Sequence, residues 1–153
     1  MNTELIVLHT TKFGENSLVV HTLSRDYGRR SFLVRGVGKK SMSLFLPLNI
    51  LEAEVTESSK STLFTARNLG SACPLLGIRN SILKNTMTMF ISEVLYRSIK
   101  EGGAEPGLYD WCRKSILMLD AIESDFSNFH IRFLLELTVA LGFSPESKDL
   151  APF

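Results

Sequence analysis

The spacing of apolar residues changes once along this chain, and that change narrows the folds open to it. Residues 1 to about 70 carry apolar side chains in short runs and two-residue alternations, the period of β-strands, whereas residues 81 to 142 repeat them at helical spacing. Strands collected in one half and helices in the other specify two small packed units. Gly70, Pro74 and Gly77 disfavour a continuous element between them, which divides the chain into residues 1–79 and 80–153. The connector also carries Leu75, Leu76 and Ile78, an apolar triplet expected to plug the bottom of whatever the strands form.

Five strands are legible in the first half. Leu5–Leu8 is a short apolar run, and Ser17–Leu23 is rich in Leu and Val, with Gly14-Glu15-Asn16 turning the chain between them. Asp26 and Gly28 suit the turn of a hairpin that leads into a third strand ending near Arg35. A fourth strand over Leu46–Glu57 alternates cleanly, with Leu51, Ala53 and Val55 on a buried face and Ile50, Glu52 and Glu54 on a largely wet one. Thr62–Asn68 supplies the fifth, with Phe64 and Ala66 on one side and Leu63, Thr65 and Arg67 on the other. An open antiparallel sheet of this size leaves two unpaired edges, and closure into a Greek-key barrel removes most of that liability. The predicted architecture is a five-stranded OB-fold barrel followed by a small three-helix domain, with an SH3-like barrel as the competitor that only strand order separates.

Three helices follow. Ser81 caps the first, whose Leu83, Met87, Phe90 and Val94, with Ile91, Leu95 and Ser98, keep helical spacing up to Gly102-Gly103. Pro106 opens the second, striped by Leu108, Cys112, Ile116, Leu119 and Ile122. Ser127 or Asn128 caps the third, with Phe129, Phe133, Leu137 and Leu141 on one face and a stop at Gly142, Phe143 and Pro145.

Composition matters chiefly for where charge sits. The whole chain has a net charge of +1, which argues for no polyanionic partner, but residues 12–40 hold Lys12, Arg25, Arg29, Arg30, Arg35, Lys39 and Lys40 against only Glu15 and Asp26. The two-residue period places Arg29, Ser31, Leu33 and Arg35 on one strand face, with Phe32 and Val34 pointing inward. Gly36 and Gly38 make the following Lys39-Lys40 segment a mobile basic loop. Such a cluster reads either as a solvated surface or as a polyanion site. OB barrels bind oligonucleotides on the face of strands 2 and 3 and the flanking loops, where this cluster falls. Those seven basic residues are the candidate DNA contacts. Tyr27 and Phe45 are the candidate base-stacking aromatics, each with packing as its competing role.

Other classes lack support. His9, His21 and His130 stand apart from any Cys or carboxylate at a ligand spacing and read as packing residues, so no metal site is expected. Cys73 and Cys112 have no Cys-x-x-Cys partner and read as buried thiols. No phosphate-binding loop, nucleophile elbow or dinucleotide fingerprint is present, and enzyme activity is disfavoured. No apolar stretch approaches a membrane span and no secretory leader is seen, which points to a cytoplasmic protein.

Taken together, Gly14-Glu15-Asn16-Ser17-Leu18, Thr22 through Arg29, Val34-Arg35-Gly36-Val37 with its trailing lysines, Leu46-Pro47-Leu48-Asn49 and Leu141-Gly142-Phe143-Ser144-Pro145 resemble the bacterial RecO family of recombination mediators and DNA repair proteins. The resemblance implies an N-terminal OB domain and a helical domain, binding of single- and double-stranded DNA, and strand annealing in a nucleoid-associated protein. It also implies loading of RecA, together with RecR, onto strands covered by single-stranded-DNA-binding protein, whose acidic C-terminal tail the helical domain would receive at unassigned residues. Family members continue further, many with a cysteine zinc module. This chain stops at Ala151-Pro152-Phe153 and holds no such cofactor, so it reads as truncated, with uncovered apolar helical surface and a tendency to self-associate. The remaining alternative is a protein-interaction module whose barrel binds a peptide or acidic partner.

Overall fold

A computed structural model describes residues 1–141, and the predicted stop at Gly142, Phe143 and Pro145 lies outside them. Strands β1 (Asn2–Lys12), β2 (Ser17–Ser24), β3 (Gly28–Arg35), β4 (Ile50–Thr56) and β5 (Phe64–Cys73) close into a barrel in the order β1-β2-β3-β5-β4, with β4 pairing back onto β1. All pairs are antiparallel except β3 with β5, which join in parallel through Phe32 opposite Phe64 and Leu33 opposite Thr65. That single parallel closure is the OB arrangement and removes the SH3-like alternative.

Inward residues of every strand fill the barrel, among them Leu5, Val7, Val20, Phe32, Leu51 and Phe64. The opposite face of β1, β2 and β4 is covered in part by the helices. Ile6, Leu8, Leu23 and Ile50 join a second cluster with the helices, so β1 is buried on both faces. Ile50, predicted on the wet side of its strand, has no exposed surface because helices cover it, while Glu52 beyond their reach is exposed. Burying a side chain of this size stabilises the fold by roughly 1.5–3 kcal/mol.

Two strands run further than their apolar residues indicate. β1 continues through polar His9–Lys12 because its backbone pairs with β2 whatever the side chains, after a bulge between Val7 and His9. β5 runs past Asn68, the predicted end of the fifth strand, and through Gly70, read from the sequence as part of the connector, to Cys73. Asn68 takes a positive φ of 52° at a register shift opposite Glu52–Glu54 and donates to the Glu54 carboxylate at 3.0 Å.

Beyond the barrel lie α1 (Leu76–Arg79), α2 (Ile82–Ser98), α3 (Pro106–Ala121) and α4 (Phe129–Ala140), the last three being the predicted helices. The Ser81 hydroxyl accepts from the Lys84 amide at 3.2 Å and caps α2. In α2 the buried stripe is Met87, Ile91 and Leu95, whereas Leu83 and Phe90 of the predicted stripe are about half exposed. The connector forms the one-turn α1, which buries Leu75 and Ile78 at the base of the barrel as predicted but turns Leu76 outward to 69% exposure. Lys39 and Lys40, predicted to lie in a mobile loop, open a 3-10 helix over Lys39–Phe45.

Polar anchors fix the helices to the barrel. Arg79 donates to the Pro47 carbonyl at 2.6 Å, Asn49 Oδ1 at 2.7 Å, Asn85 Oδ1 at 2.7 Å and Thr88 Oγ1 at 3.3 Å, joining the segment before β4 to α1 and α2. Glu4 of β1 accepts from Tyr109 at 2.7 Å and Arg113 at 2.6 Å, both on α3. Burial alone raises the Glu4 carboxyl, but those hydrogen bonds and the charges of Arg113 and Arg25 outweigh it and hold the group below its ordinary value. Cys112 is fully buried, which pushes its thiol up to about 12, and Cys73 is half-buried with Arg113 Nη2 at 3.1 Å from its sulfur.

Candidate nucleic-acid interface

The seven basic residues do not converge. β2 and β3 pair from Ser24 opposite Gly28 at the hairpin turn to Ser17 opposite Arg35 at the other end. Seven residue steps of strand separate Gly28 from Arg35, about 23 Å, so charges adjacent in sequence are delivered to opposite ends of the barrel.

At the hairpin end the three arginines are already engaged. Arg25 pairs with Glu4 at 3.2 Å and lies over the Tyr109 ring at 5.2 Å. Arg29 does not stand on an open face with Arg35. Its side chain is 6% exposed, lies over the Tyr96 ring of α2 at 5.1 Å and sits 3.9 Å from Glu101, because the segment after α2 folds over the hairpin. Burial pulls its guanidinium below the usual value, with Glu101 and Tyr96 opposing. Arg30 is half-buried against the Phe64 ring at 4.1 Å and donates to the Thr62 carbonyl at 3.1 Å. Of the predicted shared face, Leu33 is buried and only Arg35 is exposed.

Neither stacking candidate presents a free ring. Tyr27 packs edge-on to Phe32 and Phe64 at 6.1 and 5.6 Å, and Phe45 is a barrel-core residue at 6% exposure. The histidines pack as expected. His9 stacks on Tyr96 at 4.6 Å, His21 lies 5.0 Å from the same ring, and His130 meets Phe90 edge-on at 6.0 Å. A polar groove of about 300 Å³ beside β1 and β4 carries Glu4, Asp26, Glu52 and Glu54 against Arg25, the wrong sign for a phosphodiester.

The opposite end is different. Lys12 pairs with Leu18 across β1 and β2, and Ser17 pairs with Arg35 across β2 and β3, so the Lys12 and Arg35 backbones lie about 10 Å apart, two strand spacings. The Val37 amide donates to the Asn16 carbonyl at 2.8 Å and ties the segment bearing Lys39 and Lys40 to the β1–β2 turn. Gly14 and Gly36 supply the positive φ values, 74° and 73°, that these tight reversals need. Lys12, Arg35, Lys39 and Lys40 are exposed, and among the described residues none has a carboxylate in ion-pair contact. Phe13, beside Lys12 at the turn, is 57% exposed, an open aromatic face within a basic rim.

The comparisons with known proteins bear on this arrangement. The family model for the recombination protein O N-terminal domain matches residues 1–70, and that for its C-terminal domain matches residues 79–150. The chain belongs to the RecO family. Curated relatives agree along its length. The DNA repair protein RecO of Flavobacterium johnsoniae is 34% identical over 98% of this chain and 65% of its own length. That of Bacteroides fragilis is 34% identical over 94% and 61%, and that of Porphyromonas gingivalis 32% over 92% and 60%. This RecO-family chain therefore spans somewhat under two thirds of the length of these relatives.

Within the RecO framework, the family's N-terminal match covers the whole barrel except the last residues of β5, including the basic end. Phe13 is not among the residues singled out from the sequence. The signal was an apolar aromatic directly before Gly14-Glu15-Asn16, a place in a turn where burial is unavailable.

Proposed function

We propose that this chain is the DNA-binding part of a recombination mediator in DNA repair, acting by binding rather than by catalysis. The observation that carries the reading is the exposed set Lys12, Arg35, Lys39 and Lys40, unpaired among the described residues, around Phe13 at one end of an OB barrel. Cations there neutralise phosphates and release counterions, and an exposed ring stacks on any base, so binding is largely sequence-independent. Affinity for both single- and double-stranded DNA follows from backbone contacts, and a protein holding strands in this way favours their annealing. The relatives' names and the family's description supply the recombination context, in which the chain would act with RecR to load RecA on strands covered by single-stranded-DNA-binding protein.

The test is anisotropy of a labelled oligothymidylate across a salt series. Replacing Lys12 and Arg35 together with alanine should lower affinity and reduce the slope of log K against log salt by about 1.4, the share of two single-strand phosphate contacts. An unchanged affinity and slope would remove this end of the barrel from the interface.

A second reading is supported by a specific surface. Leu83, Met87 and Phe90 of α2, with Thr86, Ser127 and His130, line an apolar groove of about 350 Å³. A protein partner, such as the C-terminal tail of single-stranded-DNA-binding protein, would use that groove while the barrel end holds DNA. Were the barrel itself a peptide-binding module, generic oligonucleotides would show no salt-dependent binding to it.

A further inference from the structure

The seam between the β2–β3 hairpin and the segment after α2 holds an arrangement that the barrel-end interface does not use. Nε and Nη1 of Arg29 are buried and, among the described residues, donate to nothing. Its nearest carboxylate, Glu101, stands 3.9 Å away, beyond hydrogen-bond reach. The Tyr96 face attracts the charge but offers no lone pair to N–H donors, so the contact leaves them unsatisfied. The next residue repeats the pattern. Among the described residues Arg30 makes one bond, from Nη1 to the Thr62 carbonyl at 3.1 Å, and its buried Nε finds no partner.

Both arginines line one cavity of about 270 Å³, completed by Thr62, Glu101 and Gly102. A buried cation with unpartnered donors is costly unless an acceptor satisfies it, and a guanidinium matches a tetrahedral oxyanion through paired N–H bonds. The cavity is far larger than the ~30 Å³ share of one water. The Glu101 side chain is 59% exposed and is held only by the 3.9 Å contact with Arg29 and a long 3.4 Å hydrogen bond accepted from the Ser31 hydroxyl, so a better-matched anion can displace it. The chain turns tightly against this site. Gly28, at φ +69°, lies so close to the segment that an added Cβ would overlap the Gly103 carbonyl oxygen. The hairpin and residues 101–103 thus form a fixed wall.

We propose that this cavity is a phosphate-binding pocket, in which Arg29 and Arg30 hold a phosphoryl group and Glu101 swings out as it enters. The ligand class is a phosphate dianion with three terminal oxygens free to accept, either inorganic phosphate or the phosphomonoester end of a nucleic-acid strand. The pocket is distinct from the barrel-end interface, since six steps along β3 place Arg29 about 20 Å from Arg35.

The experiment follows the arginine Nε–Hε signals of the whole chain by NMR while inorganic phosphate is added, and repeats the titration with 5′-phosphorylated and 5′-hydroxyl oligothymidylates. Phosphate should shift the Arg29 and Arg30 signals. Glu101→Gln should tighten the response several-fold by removing the competing carboxylate, and Arg29→Lys should weaken it about tenfold by replacing the fork with a point charge. The Lys12→Ala, Arg35→Ala double variant should leave it in place. A 5′-phosphate that binds about tenfold tighter than its hydroxyl counterpart identifies a strand end as the source; equal binding of the two oligonucleotides, with inorganic phosphate still shifting Arg29, identifies free phosphate. The proposal is overturned if phosphate leaves the Arg29 signal unmoved, if Glu101→Gln weakens the response, or if the double variant abolishes it. Loss of oligonucleotide affinity in the double variant with the phosphate response intact separates this pocket from the barrel-end reading.

Discussion

Replacing Arg79 with methionine should cost about 2–3 kcal/mol of folding stability. The side chain is half-buried and makes three short bonds, at 2.6, 2.7 and 2.7 Å, and one longer bond at 3.3 Å, to groups on both sides of the boundary between barrel and helices. Hydrogen bonds from a charged donor contribute roughly 1.5–3 kcal/mol each, so the three short ones give about 5 kcal/mol. Against this stands the release of a guanidinium whose charge is opposed by burial and whose Nε has no partner among the described residues, which returns about 2–3 kcal/mol. For a chain of this size the net loss lowers the melting temperature by about 5–10 °C. Urea unfolding followed by Trp111, the one tryptophan, reports the change, because its ring stacks on Phe133 at 4.8 Å between α3 and α4. Arg79→Lys should recover less than half, since one ammonium cannot reach four acceptors on separate elements. Arg132→Met, which removes an exposed pair with Glu136 at 3.4 Å, should stay within about 0.5 kcal/mol. A loss for Arg79→Met no larger than that control, or full recovery by lysine, would refute the clamp.

Glu4 makes stability acid-sensitive. Its folded pKa lies below the unfolded value, so its contribution is complete above the ordinary carboxylate range and is lost as pH falls through the folded pKa. Chemical unfolding at stepped pH should show Glu4→Gln less stable than the parent near neutrality, with the gap closing below about pH 4; a pH-independent gap would contradict the assignment. His21 acts in a higher window. Burial, then the charges of Arg29 and His9, depress its pKa, so stability is full above the usual imidazole value and declines on acidification below about pH 6.5. His21→Gln should flatten that decline in a thermal melt series, and an unaltered slope would exclude it. Gly28→Ala should destabilise by more than the ~1–2 kcal/mol of a left-handed residue, because its Cβ also meets the Gly103 carbonyl; a melting temperature equal to the parent's would show that the hairpin and residues 101–103 do not meet.

The amino-acid sequence determined the kinds of element and most of their inward residues. Alternation is a local property of the pleat, so Leu51, Ala53 and Val55, or Phe32 and Val34, could be placed inside before any partner strand was known. The same local logic found the Ser81 cap and the glycine turns at Gly14 and Gly28. What a strand's other face meets is not local. Ile50 and Arg29 both occupy outward positions, and both are covered, because the fold brings helices or the segment after α2 across them. Only the closed barrel revealed that seven neighbouring cations part into two groups, one consumed by Glu4, Phe64 and Tyr96 and the other left open around Phe13. Strand pairing separates residues adjacent in sequence by the length of a strand and joins Lys12 to Arg35 across 23 positions, so the shape of a charge surface is a property of register and packing rather than of composition.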